Sequence, residues 1–498
     1  RRGLCSRIRL VDVWTETKQV DRVSQNSSRY TMSIIVEKKV AVKNVFYGIK
    51  RIVVGLIFLL LSHSLNASEQ QRELHLIAEA TSADRIQQDI QQLVDFGTRH
   101  TLSETRSKTR GIGAARRWIK SEFEKISRDC GECLEVYFQS DIVGGVKRIP
   151  NPTEVVNVIA VLRGHTEPDR YVIMSGDIDS RVTDPLDGTS DSPGANDNAS
   201  GMAGVIEAAR VLSSYRFPAS IVFVGLSGEE QGLFGGKIMA EQAIKDGWQI
   251  EAVLNNDMIG NISGINGITN NATARVFSEA TRPIETEKQA RIRRFTGGEV
   301  DSPSRNIARY VDVIADKYIR NLDVMMIYRL DRFGRGGHHR PFNEVGYPAV
   351  RIMETNEHYD RQHQDIRQQG DRSFGDTIDG VNFDYAAKMT ALNAVTLAAM
   401  AWAPAPPEDV VIEGIVKPHT TLKWKLDDRA AGYKLYWRLT TEPQWTWSRE
   451  VGRVNNFTLE NVVIDNYIFG VASVNDQGIE SPVVFPGPIG SFAFDAGE

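Results

Sequence analysis

Cysteine is scarce in this 498-residue chain, which has only three. That number excludes a disulfide-dense scaffold. Its 18 prolines and 41 glycines exclude a collagen-like chain, and 41% hydrophobic residues with 25% charged exclude a disordered one. The length predicts two or three domains.

Basic residues are in excess only near the start of the chain. Residues 1–67 hold 12 Lys and Arg against 4 Asp and Glu, and residues 68–498 hold 47 basic against 60 acidic residues. The main body therefore has a net charge of −13, which argues against nucleic acid as a partner because binding phosphates requires a basic surface.

The basic segment precedes a short apolar run, Ile52–Leu61, which ends in small residues near Ala67. The run is too short to cross a bilayer, so the pattern predicts a signal peptide within residues 32–67. Met32 is the expected start, and residues 1–31 are expected to be a non-native leader. We expect an exported protein, periplasmic or secreted, with an uncleaved membrane anchor at the N-terminus as the alternative.

Two cysteines remain after this segment, Cys130 and Cys133. In an oxidising compartment their spacing predicts a local disulfide. A redox-active dithiol and half of a zinc site are the alternatives, but there is no second cysteine pair and no adjacent strand-to-helix redox pattern.

Residues 68–402 have the pattern of an α/β domain. Helical periodicity runs from Glu69 to about Ile126, and strands then alternate with helices. The continuous apolar strands are predicted at Val155–Leu162, Tyr171–Ser175, Ser220–Leu226, Ala252–Asn256 and Ala349–Met353. This alternation predicts a mostly parallel central sheet with helices on both faces.

The pattern changes after a proline-rich linker at residues 403–407. Short alternating strands over residues 408–498 predict a small all-β sandwich. Trp424 and Tyr467 stand where such a module has a core tryptophan and a tyrosine corner, so the segment resembles a fibronectin type III domain. We expect it to contact a cell surface or a polymer.

Acidic residues follow the predicted strands of the α/β domain, and two histidines precede its last strand. They are Asp177, Asp179, Asp197, Glu229, Glu230, Asp257, His338 and His339. The carboxyl ends of parallel strands share one crevice, so these groups are expected to meet there. Because so many carboxylates repel one another unless cations are bound, the sequence predicts a dinuclear metal site.

Four segments together resemble the M28 metallopeptidase family, in its bacterial leucyl-aminopeptidase-like branch. They are Pro193–Gly201, Ser227–Gly232, Asn256–Ile259 and His339–Ala349. The resemblance covers roughly residues 70–402 and implies a zinc-exopeptidase fold, peptide or protein substrates and two divalent metal ions, zinc first among them.

The resemblance also implies roles for individual residues. Asp197 would bridge the two ions, Glu230 and His339 would complete the first ion's ligands, and Asp257 would bind the second. Glu229 would be the general base that takes a proton from a metal-bridging water and returns it to the leaving amine.

The sequence departs from the family at two positions. Asp177 stands where the family has a histidine ligand of the second ion, which Asp179 would orient, and His338 stands where it has aspartate. An oxygen-only second site of Asp177, Asp197 and Asp257 would favour manganese or a similar ion. Alternatively the second ion is lost, or the protein does not turn over.

The expected function is that of an exported metal-dependent aminopeptidase that removes N-terminal residues from peptides. The alternative is an impaired or single-metal homologue, similar to glutaminyl cyclases, or a non-catalytic binding protein. His363 is expected to line the pocket and contact substrate, as is His338. The loop Arg332–Gly337 has the composition of a mobile rim, with anion binding as its alternative role.

Overall fold

The computed structural model of this chain describes residues 68–493, so the predicted leader and signal peptide lie outside the described residues. The described part begins with three helices, α1 (Glu69–Ala80), α2 (Ala83–Asp95) and α3 (Gly111–Asp129). Ser68 starts α1 through a capping box with Gln71, in which each side chain accepts from the other residue's backbone N–H. Within this range no helix is long and apolar enough to span a membrane.

Eight strands form the central sheet. They are β1 (Leu134–Val143), β2 (Thr153–Leu162), β3 (Glu167–Asp177), β4 (Ala219–Leu226), β5 (Gln249–Asn256), β6 (Thr273–Ser278), β7 (Asp323–Ile327) and β8 (Ala349–Glu354). Their order is β1-β2-β4-β3-β5-β8-β6-β7. The adjacent strands β4, β3, β5 and β8 are parallel, as is the pair β6 and β7. The predicted mostly parallel sheet is confirmed, and four carboxyl ends meet at one edge.

Helices cover both faces of the sheet. They are α4 (Gly201–Leu212), α5 (Glu229–Gly232), α6 (Phe234–Lys245), α7 (Glu287–Thr296), α8 (Pro303–Tyr318), α9 (His339–Glu344) and α10 (Phe383–Trp402). Along β4, Ile221 and Phe223 pack into the core that contains α4, α8 and α10. Val222 and Val224 face the second core, with α6 and α9. Burial on both faces explains why β4 is apolar at almost every position.

A disulfide joins Cys130 to Cys133 directly after α3, as their spacing predicts. The Ser127 hydroxyl donates to the Leu134 carbonyl and accepts from the Leu134 N–H, both at 3.0 Å. The disulfide therefore closes the tight turn that leads from α3 into β1.

The α/β domain also contains a short hairpin of β9 (Arg367–Gln369) and β10 (Arg372–Phe374). The strands of the C-terminal part are β11 (Val411–Glu413), β12 (Thr420–Lys423), β13 (Gly432–Leu439), β14 (Trp447–Gly452), β15 (Asn456–Leu459) and β16 (Tyr467–Val474). They form two three-stranded antiparallel sheets, β11-β12-β15 and β14-β13-β16. Trp424 is buried, with its ring 5.3 Å from that of Tyr433. The kinship with fibronectin type III domains stays a prediction.

The proline-rich linker is packed between the two parts of the chain. Ala403 accepts a hydrogen bond from Arg170 at 2.8 Å, and Ala405 accepts one from the Ser473 hydroxyl at 2.7 Å. Its carbonyls are therefore held from both sides, by β3 and by β16.

A buried ion cluster also joins the C-terminal sheets to the α/β domain. Asp301, just before α8, contacts Arg309 of α8 at 3.0 Å and Arg438 of β13 at 2.6 Å. All three side chains are at most 1% exposed. One carboxylate is thus shared by two arginines that have almost no access to water.

We expect Asp301→Asn to lower the free energy of unfolding by about 3–5 kcal/mol, because it leaves two buried guanidinium groups without a counter-charge. Equilibrium denaturation by urea measures this change. Glu413→Gln is the matched control, since Glu413 pairs with Lys423 on the surface and should change stability little. Equal effects of the two substitutions would contradict this role of Asp301.

Candidate active site

The predicted acidic residues meet at the carboxyl edge of the sheet. Asp177 ends β3, Glu229 and Glu230 begin α5 directly after β4, and Asp257 follows β5. Asp197 lies in an irregular turn, Ala195–Ser200, that leads into α4, and the backbone angles of Asp197 and Asn198 are not helical. The topology therefore brings together groups that are up to 80 residues apart in the sequence.

Two glycines allow this close approach. A Cβ atom on Gly176 would lie 2.7 Å from the backbone of Gly201, and one on Gly201 would lie 2.5 Å from the carbonyl oxygen of Asn256. Side chains at these positions would push α4 away from the ends of β3 and β5. The small residues thus fix the turn that carries Asp197.

Asp197, Glu230 and His363 form a compact three-ligand cluster. His363 Nε2 lies 3.0 Å from Asp197 Oδ2 and 2.9 Å from Glu230 Oε1. One ligand atom from each residue lies within 4.8 Å of the other two. Two carboxylates and one imidazole are donors that suit zinc, so the residues present fit a zinc ion at this position.

The charges in the cluster favour a cation between the ligands. Burial alone would raise the pKa of Asp197, but His363, Arg332 and Arg335 outweigh it and hold that pKa below its usual range. Burial would lower the pKa of His363, but Glu230 and Asp197 raise it to about 9. The carboxylates of Asp197 and Glu230 thus stabilise positive charge at the place where a metal ion would bind.

Hydrogen bonds from behind fix the ligands in place. Asp376 accepts from the backbone N–H groups of Asn196 and Asp197, at 3.0 and 2.6 Å. Arg181 donates to Glu230 Oε2 at 2.7 Å, and its Nη2 lies 2.7 Å from His363 Nδ1. Asp197, Glu230 and His363 are therefore held before any ion binds.

The structure does not place His339 with Asp197 and Glu230, contrary to expectation. Its Nε2 lies 2.8 Å from the carbonyl oxygen of Leu330, and its ring faces Asp331 at 3.6 Å. The side chain is fully buried, and burial lowers its pKa to about 4. His339 begins α9 and is drawn into the domain, so the imidazole of the cluster comes from His363.

His363 lies nine residues beyond the end of β8, in a loop with no regular structure, and its φ angle is +54°. Histidine is among the few side chains that adopt this left-handed conformation with some frequency. One signal for His363 is available in the sequence: it is a histidine that follows the parallel strand β8, just as the acidic site residues follow β3, β4 and β5.

Asp177 is bound to His338 and not to the three-ligand cluster. Its Oδ1 lies 2.6 Å from His338 Nδ1, and its Oδ2 accepts from Asn198 at 2.8 Å. Burial raises the pKa of Asp177 to about 8 and lowers the pKa of His338 to about 4. Asp177 and His338 thus contact each other and share one proton as a neutral pair.

Asp257 is paired with a buried arginine. Arg351 contacts Asp257 Oδ2 at 2.7 Å and Asp331 at 3.1 Å, and its side chain is fully buried. Burial raises the pKa of Asp257 to about 7, although Arg351 opposes that shift. The guanidinium supplies positive charge next to the place predicted for a second ion.

Asp179 holds the turn that carries Glu229 and Glu230. Its two carboxylate oxygens accept from the backbone N–H groups of these residues at 3.2 and 3.1 Å, and Thr101 donates to it at 3.1 Å. Asp179 therefore orients α5, whereas the family resemblance implies that it orients the side chain of Asp177.

The cluster opens into a cavity of about 740 Å³. Glu229 lies in its wall beside Glu230, Asp197 and Asp257. Burial, followed by the charges of Glu230 and Asp257, raises the pKa of Glu229 well above its usual value. A carboxylate in this environment accepts a proton readily, as a general base requires.

We expect His363→Ala to lose the bound zinc, because one of three ligands is removed, whereas His339→Gln should keep it. Elemental mass spectrometry of protein purified without chelator measures the zinc content, with about one ion per wild-type chain expected. Circular dichroism shows whether each variant is folded. Zinc loss only in the His339 variant would contradict the placement of the ligands.

Comparisons with known proteins identify the family of this chain. The sequence profile of peptidase family M28 matches residues 157–381. A probable zinc metalloprotease of Leptosphaeria maculans is 42% identical over 421 residues, covering 84% of this chain and 97% of the relative. A probable zinc metalloprotease of Pyricularia oryzae is 40% identical over 413 residues, covering 81% and 82%. The Legionella pneumophila LapA aminopeptidase superposes with a TM-score of 0.48 at 20% identity, covering 68% and 76%. The chain belongs to peptidase family M28.

Proposed function

We propose that this metallopeptidase is an exported aminopeptidase that works with zinc bound by Asp197, Glu230 and His363. Family membership establishes a metal-dependent hydrolase of peptides or proteins, and its relatives are named as zinc enzymes. The observation that carries the proposal is the three-ligand cluster at the base of the cavity, with Glu229 in the adjoining wall.

Glu229 is the proposed proton carrier. A zinc ion bound beside it would lower the pKa of a water molecule and polarise the peptide carbonyl. Glu229 takes the proton of the attacking water and delivers it to the leaving amine. Asp179 keeps Glu229 in position by accepting a hydrogen bond from the Glu229 backbone N–H. The next residue, Glu230, is turned toward His363.

We propose one zinc ion per chain. The sequence predicts two ions, but the carboxylates of the second site already have partners in His338 and Arg351. A second ion would have to displace the proton shared with His338 and compete with the guanidinium for Asp257. A zinc titration that saturates at two ions per chain would contradict this proposal.

The charge distribution of the cavity supports an aminopeptidase. Four carboxylates, Asp197, Glu229, Glu230 and Asp257, line it together with His363. A free α-ammonium group is attracted to these carboxylates, so the N-terminus of a peptide binds beside the metal cluster. This arrangement disfavours a substrate that would bring its C-terminal carboxylate to the same place.

A single-metal cyclase of N-terminal glutamine is the second candidate. The observation that favours it is that, among the active-site residues the structure describes, one three-ligand group is assembled, namely Asp197, Glu230 and His363. The two activities differ in product. An aminopeptidase releases a free amino acid, whereas a cyclase releases ammonia and leaves the peptide bond intact.

Export is supported by the disulfide Cys130–Cys133, since such bonds persist in oxidising compartments. Contact of the C-terminal sheets with a cell surface or polymer stays a prediction. We expect the mature protein to begin near Ala67, which N-terminal sequencing of the exported protein tests. A mature chain that retains Ile52–Leu61 would indicate the membrane anchor.

We expect Glu229→Gln to lower kcat for aminoacyl p-nitroanilides by about 10²–10⁴-fold, because the proton carrier is lost. The variant should keep its zinc, since Glu229 is not a ligand. Chelator should abolish wild-type activity, zinc should restore it, and N-acetylated peptides should resist hydrolysis. Full activity of the variant, or cleavage of acetylated peptides, would overturn the proposal.

A further inference from the structure

The lining of the active-site cavity contains one more basic than acidic side chain. Six basic side chains line the cavity: Arg148, Arg181, Lys237, Arg332, Arg335 and Arg340. The five carboxylates in the lining are Asp197, Glu229, Glu230, Asp257 and Glu344. A bound zinc ion would add to the positive charge.

Most of these basic residues already have a fixed partner. Arg181 contacts Glu230 at 2.7 Å, Arg332 contacts Glu357 at 2.9 Å and Arg340 contacts Glu344 at 3.4 Å. Arg148 donates to the backbone carbonyl of Glu230. These contacts build the wall of the cavity and leave little freedom to bind a ligand.

Arg335 and Lys237 differ from the others. Within residues 68–493, neither has a carboxylate oxygen within 4.0 Å. The Gln362 amide, oriented with its oxygen toward the guanidinium, accepts from Arg335 at 2.9 Å. Lys237 is exposed, with Nζ 5.0 Å from the centre of the Phe234 ring. Both residues therefore present unneutralised charge to the cavity.

We propose that this cavity selects peptides that carry a carboxylate close to the N-terminal residue, and that Arg335 binds this carboxylate with help from Lys237. The inference rests on the proposed function and specifies its substrate class. The carboxylates Asp197, Glu229, Glu230 and Asp257 attract the ammonium end of the substrate, and Arg335 and Lys237 attract its carboxylate, so the cavity lining offers a partner for each charge. A planar guanidinium suits a carboxylate because it can donate two parallel hydrogen bonds.

The size of the cavity agrees with a short substrate. Its volume of about 740 Å³ lies in the range of sites that enclose small molecules. Each extended residue spans about 3.3–3.6 Å, so the two charged groups of a dipeptide are only a few ångströms apart. The carboxylate can be an Asp or Glu side chain after the scissile bond or the free C-terminus of a dipeptide.

Paired peptides distinguish these two sources. Ala-Glu-NH₂ against Ala-Gln-NH₂ tests the side chain, and Ala-Ala against Ala-Ala-NH₂ tests the free C-terminus. We expect the wild-type protein with zinc to prefer the charged member of at least one pair by about tenfold in kcat/KM, mainly through KM. The preference should shrink at high salt, since the charges lie at an open surface.

Arg335→Ala is expected to reduce that preference, which is the ratio of kcat/KM for the charged peptide to kcat/KM for the neutral one, to less than about twofold. Arg335→Lys should retain part of it, because the charge remains without the planar fork. Arg294→Ala is the matched control: it removes one exposed arginine from α7, outside the cavity lining, and should leave the preference unchanged.

Two results would overturn the inference: no preference for the charged peptide of either pair, or equal loss of activity toward charged and neutral peptides in Arg335→Ala. If the wild-type protein hydrolyses no peptide at all, the proposed function fails instead. Calorimetric binding of Ala-Glu-NH₂ and Ala-Gln-NH₂ to the zinc-loaded protein then tests the carboxylate site separately. The carboxylate site would be rejected if Ala-Glu-NH₂ and Ala-Gln-NH₂ bound with equal affinity and Ala-Ala and Ala-Ala-NH₂ did so too.

Discussion

Mutual repulsion among buried carboxylates is the constraint on which the rest of this structure depends. Six of them converge at the carboxyl edge of one sheet: Asp177, Asp179, Asp197, Glu229, Glu230 and Asp257. Each needs a proton, a cation or N–H donors, because an isolated buried charge is very costly. The structure supplies a different partner to each carboxylate, and these partners are the basis of the roles proposed for them.

Asp177 shares a proton with His338, Asp257 contacts Arg351, and Asp179 accepts two backbone N–H groups. Asp197 and Glu230 face the His363 imidazole, where a zinc ion fits. Glu229 lacks a cation of its own and has a raised pKa, which suits a group that must take up and release a proton. These contacts support the proposal of one ion at a site where the sequence predicts two.

The fold and most of the acidic residues could be predicted from the sequence, because both depend on local patterns. Apolar strands such as β4 are buried on both faces, and the acidic residues directly follow the strands. His363 could not be placed in the same way, since eight loop residues separate it from β8 and the path of such a loop is set by tertiary contacts. His339 stands in a recognisable motif, but α9 carries it away from the site.

Other features of the structure are also missing from the predictions made from the sequence, because their local apolar pattern is weak or their partners are distant in the chain. Helix α7 has no buried residue, so it lacks the apolar periodicity that predicts helices, although the capping pair Thr286 and Gln289 is visible in the sequence. Strand β1 has one exposed face and lies at the sheet edge, where the apolar signal is weak. The contact of Asp177 with His338 joins residues 161 positions apart, and only the folded chain brings them together.

The central claim is that one zinc ion is bound by Asp197, Glu230 and His363. Anomalous diffraction from crystals of the zinc-loaded protein, recorded at the zinc absorption edge, tests it most directly. The account predicts one peak at about 2.0–2.2 Å from His363 Nε2 and from one carboxylate oxygen of each acid. A second peak between Asp177 and Asp257, or a peak at His339, would contradict it.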